Sequence, residues 1–117
     1  PYKTNILISE YTKELLKENY IIKEIDLVRV KGKNKAVKIF QVLDFGIPNK
    51  NQQKEFETYY KALQLYRDSK FKEAKNLFEI LYNNTKVYLY SLYMERCKYF
   101  IENPPKNFDG VWTFTTK

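Results

Sequence analysis

A lysine-rich turn is the part of this sequence best suited to chemistry. Lys31 and Lys33 flank Gly32 between two runs of β-forming residues. Gly32 tolerates the positive φ angle that hairpin turns require. Two ammonium groups on flexible stems, with backbone N–H groups nearby, could bind a polyphosphate. Lysine-glycine turns also occur simply because they are well solvated, so the motif by itself favours a plain turn.

The other side chains exclude several kinds of catalytic site. The chain has no histidine and one cysteine, Cys97, which excludes His-dependent catalytic triads and His-ligated zinc. Cys97 lies in a helical pattern, which predicts core packing and a reducing compartment. The sequence around Lys31 lacks the glycine spacing of a Walker A loop. Asp26 and Asp44 show no spacing typical of a metal pair, so the residues alone predict a non-catalytic module.

Composition predicts a folded chain of modest size. Of its 117 residues, 44% are hydrophobic and 17% aromatic, with three glycines and four prolines. No apolar run is long enough to span a membrane, so we expect no membrane contact. The net charge of +7 is compatible with nucleic-acid binding, but the 21 Lys and Arg are scattered, which favours a solvated surface and no nucleic-acid partner.

The opening Pro1 predicts a fragment cut from a longer protein.

Residues 1–44 have the pattern of an α+β unit. The predicted elements are a strand over 6–8, a helix over 10–18 capped by Ser9, and strands over 21–30 and 36–43. Helical spacing puts the apolar residues Tyr11, Leu15 and Leu16 on one face of the helix. The lysine turn lies between the last two strands. In the strand predicted over 21–30, apolar residues alternate up to Leu27, and the alternation then shifts by one position to Val28 and Val30. Such a shift indicates a β-bulge or a strand covered on both faces.

Beyond a linker at 45–51, the pattern becomes helical. Apolar residues at helical spacing predict three helices over 52–103, and Pro104-Pro105 ends the last of them. An extended tail, 104–117, is expected to pack back on the fold through its aromatic residues, with Trp112 buried. Six residues match the spacing of a tetratricopeptide repeat: Ala62, Leu65, Ser69, Phe71, Ala74 and Phe78. One repeat needs a neighbour to cover its apolar face, and the third helix could supply it.

The first half resembles the end of the catalytic domain of class III adenylate/guanylate cyclases. The resemblance is carried by the runs Asn5 to Thr12 and Glu24 to Lys33, the second ending in Val30-Lys31-Gly32-Lys33. A return strand follows, as it does in that family. The resemblance implies that residues 1–44 are a partial cyclase domain, a ferredoxin-like derived β-hairpin with one helix.

The second half resembles the tail of a bacterial subgroup of these cyclases, in which the catalytic domain follows a periplasmic sensor and transmembrane helices. The run Pro104-Pro105-Lys106-Asn107-Phe108-Asp109-Gly110-Val111-Trp112 carries this resemblance. It implies a signalling enzyme whose parent chain is anchored in the bacterial inner membrane. The fragment itself would lie in the cytoplasm.

The resemblance also implies the chemistry of the parent protein. Two cyclase protomers pair as a homodimer, bind ATP or GTP, and form cyclic AMP or cyclic GMP by attack of the 3′-hydroxyl on the α-phosphorus. Lys31 matches the lysine that contacts the triphosphate, and it is the one site residue carried over. The positions that hold two Mg or Mn ions and steady the transition state precede residue 5. No catalytic residue, metal or cofactor is therefore expected in this fragment, which should be inactive alone.

Two other functions are compatible with the sequence. A tetratricopeptide-like module would bind a protein partner through its helices, although such a module needs no strand ending in Val30-Lys31-Gly32-Lys33. A basic nucleic-acid binder would expose its aromatic residues, whereas these recur at buried helical spacing. The choice between ATP and GTP stays open.

Overall fold

The computed structural model describes residues 6–16, 20–30 and 35–114. It divides into two compact units. The helical unit is Lys50–Gly110, and the sheet unit comprises the described residues up to Asn49 together with those from Val111 onward. Helices and a sheet occur together, which confirms the predicted α+β class.

The sheet unit contains four strands and one short helix. In chain order its elements are β1 (Leu7–Ser9), α1 (Glu10–Glu14), β2 (Tyr20–Val30), β3 (Val37–Phe45) and β4 (Trp112–Phe114). The strand order is β1-β3-β2-β4. β3 pairs antiparallel with both β1 and β2, and β4 runs parallel to β2. The two long central strands thus form the hairpin that the sequence predicted.

Helix α1 begins as predicted but is shorter. Ser9 is its N-cap, and the Ser9 Oγ accepts a hydrogen bond from the Thr12 N–H at 3.3 Å. The helix, predicted over 10–18, ends at Glu14, and residues 17–19 lie outside the described part of the chain. The helix is shorter because the apolar face expected to pack inward is not buried. Tyr11 and Leu15 on that face are 52% and 76% exposed. Without burial of that face, little stabilises a further turn.

Strand β2 contains the bulge that the apolar pattern indicated, but at a different place. Glu24 pairs with Phe40 and Asp26 with Ile39, so Ile25 has no opposite residue in β3. The buried positions accordingly change phase between Ile25 and Asp26, not after Leu27. One result of this change is that Asp26 is only 1% exposed, a burial that the alternation of apolar residues did not predict.

The helical unit has a core built mainly of aromatic rings. Its helices are α2 (Lys50–Arg67), α3 (Phe71–Thr85) and α4 (Tyr88–Glu102). Phe78 stacks on Tyr93 with ring centroids 4.9 Å apart, and Tyr66 meets Tyr93 edge to face at 5.1 Å. Such offset and edge contacts add to the gain from removing the rings from water.

The turn between α2 and α3 is a Schellman motif. The Lys70 N–H donates to the Leu65 carbonyl at 2.8 Å and the Ser69 N–H to the Tyr66 carbonyl at 3.1 Å, with Ser69 at φ 67°. Ala62 and Ala74 are fully buried. Small residues at these positions allow two antiparallel helices to approach closely, as the sequence pattern predicted.

The segment after Pro105 contributes first to one unit and then to the other. Within the helical unit, the Phe108 ring lies 5.5 Å from that of Phe71 and 5.0 Å from that of Phe100. Trp112 then pairs with Val28 in the sheet. Trp112, expected to be buried, is only half-buried, because β4 is an edge strand of the sheet.

Candidate functional site

The predicted triphosphate contact, Lys31, lies outside the described residues, as do Gly32 and Lys33. Its role therefore stays a prediction. The structure does describe the strands that lead into and out of this turn. Val28 and Val37 form the last described residue pair of the β2–β3 ladder before it. Lys35 is the first described residue after it.

Lys35 is bound by a tyrosine of α1. Its Nζ donates a hydrogen bond to the Tyr11 hydroxyl. The hydrogen bond to Tyr11 raises the pKa of Lys35 above its usual value, because the hydroxyl oxygen favours the ammonium form. Lys35 is therefore an exposed cation that contacts α1 just before β3 begins.

Two further contacts join α1 to β3. Glu10 Oε1 accepts a hydrogen bond from the Lys38 N–H at 3.3 Å. Lys13 Nζ lies 4.9 Å from the centroid of the Phe40 ring. Together with the Tyr11–Lys35 contact, these interactions hold three residues of α1 against the first part of β3. The contact between Tyr11 and Lys35 could not be predicted from the sequence, because helical spacing groups Tyr11 with the apolar residues of α1.

The sheet unit also exposes large apolar side chains. Leu15, Phe45 and Ile47 are 76%, 63% and 79% exposed. A concave surface of about 550 Å³ on the sheet is lined mostly by apolar residues, among them Val37 and Ile39. Exposed apolar surface of this kind is typical of a region that contacts another polypeptide.

The described residues contain no group of three or more His, Cys, Asp or Glu side chains placed to hold a metal ion. Over the same residues, none of the helices has the length and apolar character needed to cross a membrane.

Comparison with known proteins gives one informative similarity. Over 104 residues the chain is 31% identical to the Dictyostelium discoideum protein described as "Adenylate cyclase, terminal-differentiation specific". The chain is similar to a segment of an adenylate cyclase. The match covers 82% of this chain but only 5% of the Dictyostelium protein, so the chain spans a small part of that relative. No protein-family model and no solved structure matches the chain.

The helical unit places two of its polar side chains, Tyr90 and Arg96, in contacts within its core. Tyr90 donates a 2.5 Å hydrogen bond to Glu55, and burial followed by this bond raises the pKa of the Tyr90 hydroxyl. Arg96, which is 4% exposed, lies over the Tyr93 ring at 5.1 Å. The Tyr90–Glu55 bond joins α4 to α2, whereas the Arg96–Tyr93 contact lies within α4.

We expect Cys97 to be unreactive in the folded chain. Its side chain is fully buried, and desolvation raises the pKa of the thiol to about 12, a rise that Lys75 and Arg96 offset only in part. Alkylation by iodoacetamide at about pH 8 should thus be slow, since the thiolate is the nucleophile. The same reagent should label Cys97 rapidly in denaturant, and equal rates in the two conditions would contradict the buried position.

Proposed function

We propose that this chain is the C-terminal part of a class III nucleotide cyclase, a signalling enzyme that makes cyclic AMP or cyclic GMP. Residues 1–44 would end the catalytic domain and 45–51 would be a linker. A tetratricopeptide-like helical tail over 52–103 and an extended tail over 104–117 would complete the chain. The observation that carries the proposal is the 31% identity with an adenylate cyclase over 104 residues.

The sheet unit supports this proposal through its order of elements. A strand leads into a helix capped by Ser9, and two long antiparallel strands then flank the turn at Lys31. This is the order that resemblance to the end of a cyclase domain implies. The apolar surface exposed by the sheet also favours a unit that completes its core with another part of a larger domain.

In the proposed enzyme, Lys31 supplies a positive charge to the triphosphate. Attack of the ribose 3′-hydroxyl on the α-phosphorus moves negative charge onto the departing pyrophosphate. An ammonium group held next to the phosphate oxygens offsets that charge more strongly in the transition state than in the bound substrate. Lysine suits this role because it acts as a mobile point charge on a long stem.

The other requirements of the reaction would be met outside this chain. Two Mg or Mn ions are expected in the parent enzyme, but the described residues offer no carboxylate group suited to them. We propose that their ligands belong to the parent protein, which would bind ATP or GTP as a homodimer. The bacterial subgroup implied by the tail would have its parent anchored in the inner membrane, with this part in the cytoplasm.

The decisive experiment compares two lysines in the full-length protein. Lys31→Ala should lower kcat/KM for the nucleotide about ten- to a hundredfold, the loss expected for one charge-assisted contact. Lys33→Ala, a change of the same size and charge in the same turn, is the matched control and should have a much smaller effect. Neither substitution should change the thermal midpoint, because turn lysines contribute little to stability.

Two outcomes would contradict the proposal. Equal and small effects of Lys31→Ala and Lys33→Ala would show that the turn has no special role in catalysis. Cyclic nucleotide formation by the isolated 117-residue chain would show that the catalytic groups have been assigned to the wrong part of the protein.

A second candidate function is a tetratricopeptide-like module that binds a protein. It is favoured by the close α2–α3 pair, in which Ala62 and Ala74 are fully buried and Ser69 forms the turn. It would become the better proposal if the full-length protein formed no cyclic nucleotide from either ATP or GTP.

A further inference from the structure

We propose that the tail segment, residues 108–114, couples the packing of the helical unit to the stability of the end of β2. In this proposal β4 holds the last residues of β2 only while the part of the tail before it stays packed on the helices. A change in the helical unit that releases the tail then loosens this end of the sheet. The coupling is independent of the function proposed above.

The end of β2 depends on β4 for its strand pairing. In the described part of the chain, the β2–β3 ladder ends with the pair Val28 and Val37, the first residue of β3. The next two residues of β2 pair with β4 instead, Arg29 with Thr113 and Val30 with Phe114. Loss of β4 would therefore leave residues 29 and 30 outside any ladder of the described sheet.

Strand β4 has little stability of its own. It contains three residues, lies at the edge of the sheet and runs parallel to β2. Parallel pairs are slightly less stable per residue than antiparallel ones, and most strands have about five or six residues. So short a strand needs support from the chain that leads into it.

The chain before β4 is attached to the helical unit at two points. The Phe108 ring packs edge to face on Tyr66 at 5.5 Å and lies 5.0 Å from the Phe100 ring. Two residues later, Gly110 is buried, and a β-carbon built on it would lie 3.2 Å from the Arg67 Cγ. Only Val111 then separates this attachment from β4.

This attachment shortens the loop that β4 closes when it pairs with β2. With the tail packed, the path from β3 to β4 runs through four residues, 46–49, then through the folded helical unit, and then through Val111 alone. Releasing the tail adds the residues beyond the end of α4 at Glu102 to this path. A longer loop costs more chain entropy to close, so the β2–β4 ladder opens more often.

Amide hydrogen exchange in β2, followed by NMR on the 117-residue chain, tests this coupling. Phe108→Ala removes the ring that packs on the helices, and it should speed exchange at residues 28–30 about three- to tenfold. Exchange at Ile21 and Ile22, which pair with β3 at the other end of the strand, should not change. Ile80→Ala, at a 52% exposed position of the same unit, is the control and should affect neither end.

An insertion tests the length of the connection without removing a packed side chain. About eight Gly and Ser residues placed between Gly110 and Val111 should also speed exchange at residues 28–30 about three- to tenfold. The helical circular dichroism should stay as it is. The same residues appended after Lys117 lie outside the loop and should have no effect.

Three outcomes would overturn the proposal. The first is unchanged exchange at residues 28–30 in both Phe108→Ala and the insertion variant. The second is faster exchange by an equal factor at Ile21 and Ile22, which would show a general loosening of the sheet. The third is an effect of Phe108→Ala without one of the insertion, because the length of the connection would then not matter.

Discussion

Replacing Tyr59 with alanine should lower the free energy of unfolding of the helical unit by about 3–5 kcal/mol. Tyr59 is fully buried, and its ring lies 5.5 Å from that of Tyr90 and 6.2 Å from that of Phe78. Alanine would remove a large apolar area from the core and leave a cavity among rings held by other contacts. Rigid neighbours of this kind cannot collapse into the space, which raises the cost.

The next residue along the helix provides a matched control. Tyr60 has the same side chain on the same helix but is 38% exposed. Tyr60→Ala should therefore cost about 1 kcal/mol or less. Denaturant unfolding followed by circular dichroism at the helical wavelengths would measure both changes. Equal losses for Tyr59→Ala and Tyr60→Ala would show that burial of the ring at Tyr59 is not what stabilises the unit.

The helical unit could be predicted well because its signals are local. Aromatic and small residues recur at helical spacing, and the break at Asp68-Ser69-Lys70 marks the turn that the structure forms. The Ser9 cap is another local signal, read from one residue type before a helical pattern. Each of these features depends on residues within a few positions of one another, so no long-range contact had to be inferred.

The features that sequence reasoning missed depend on distant partners. The place of the bulge follows from the pairing of Glu24 and Asp26 with β3, and the apolar pattern alone put it two residues further along the chain. The parallel pairing of Trp112 with Val28 joins distant parts of the sequence, and no local pattern indicates it. The buried side chain of Lys23 was unexpected for the same reason, because its burial depends on long-range packing around β2.

The residues of the candidate site show the same difference between local signals and long-range contacts. Lys31 was found through a strand-turn-strand pattern and a family resemblance, both of which lie in one short run of sequence. Tyr11 and Lys35 were not paired in advance, because a tyrosine at helical spacing normally predicts core packing. In the structure α1 is short and Tyr11 is half exposed, which leaves its hydroxyl available to the lysine.

The second large effect is expected at a glycine of the tail. Gly110 has φ +84°, and a β-carbon built on it would lie 3.2 Å from Arg67 Cγ and 3.3 Å from Arg67 Cβ. Gly110→Ala would thus combine backbone strain with overpacking against the end of α2. The Arg67 Cβ is fixed to the helix backbone, so it cannot move away as the tip of a long side chain could. We expect a loss of about 2–4 kcal/mol in the free energy of unfolding.

A substitution at Gly46 measures the backbone strain without the contact to Arg67. It has φ +99°, but no atom lies within 4 Å of a β-carbon built there. Gly46→Ala should therefore show the conformational cost alone, about 1–2 kcal/mol. Circular dichroism at the helical wavelengths follows unfolding of the helical unit, which contains Gly110. The fluorescence of Trp112, the one tryptophan of the chain, follows unfolding of the sheet unit, which contains Gly46. If the two alanine variants lose the same stability, the close approach of Gly110 to Arg67 contributes nothing, and positive φ alone explains the glycine.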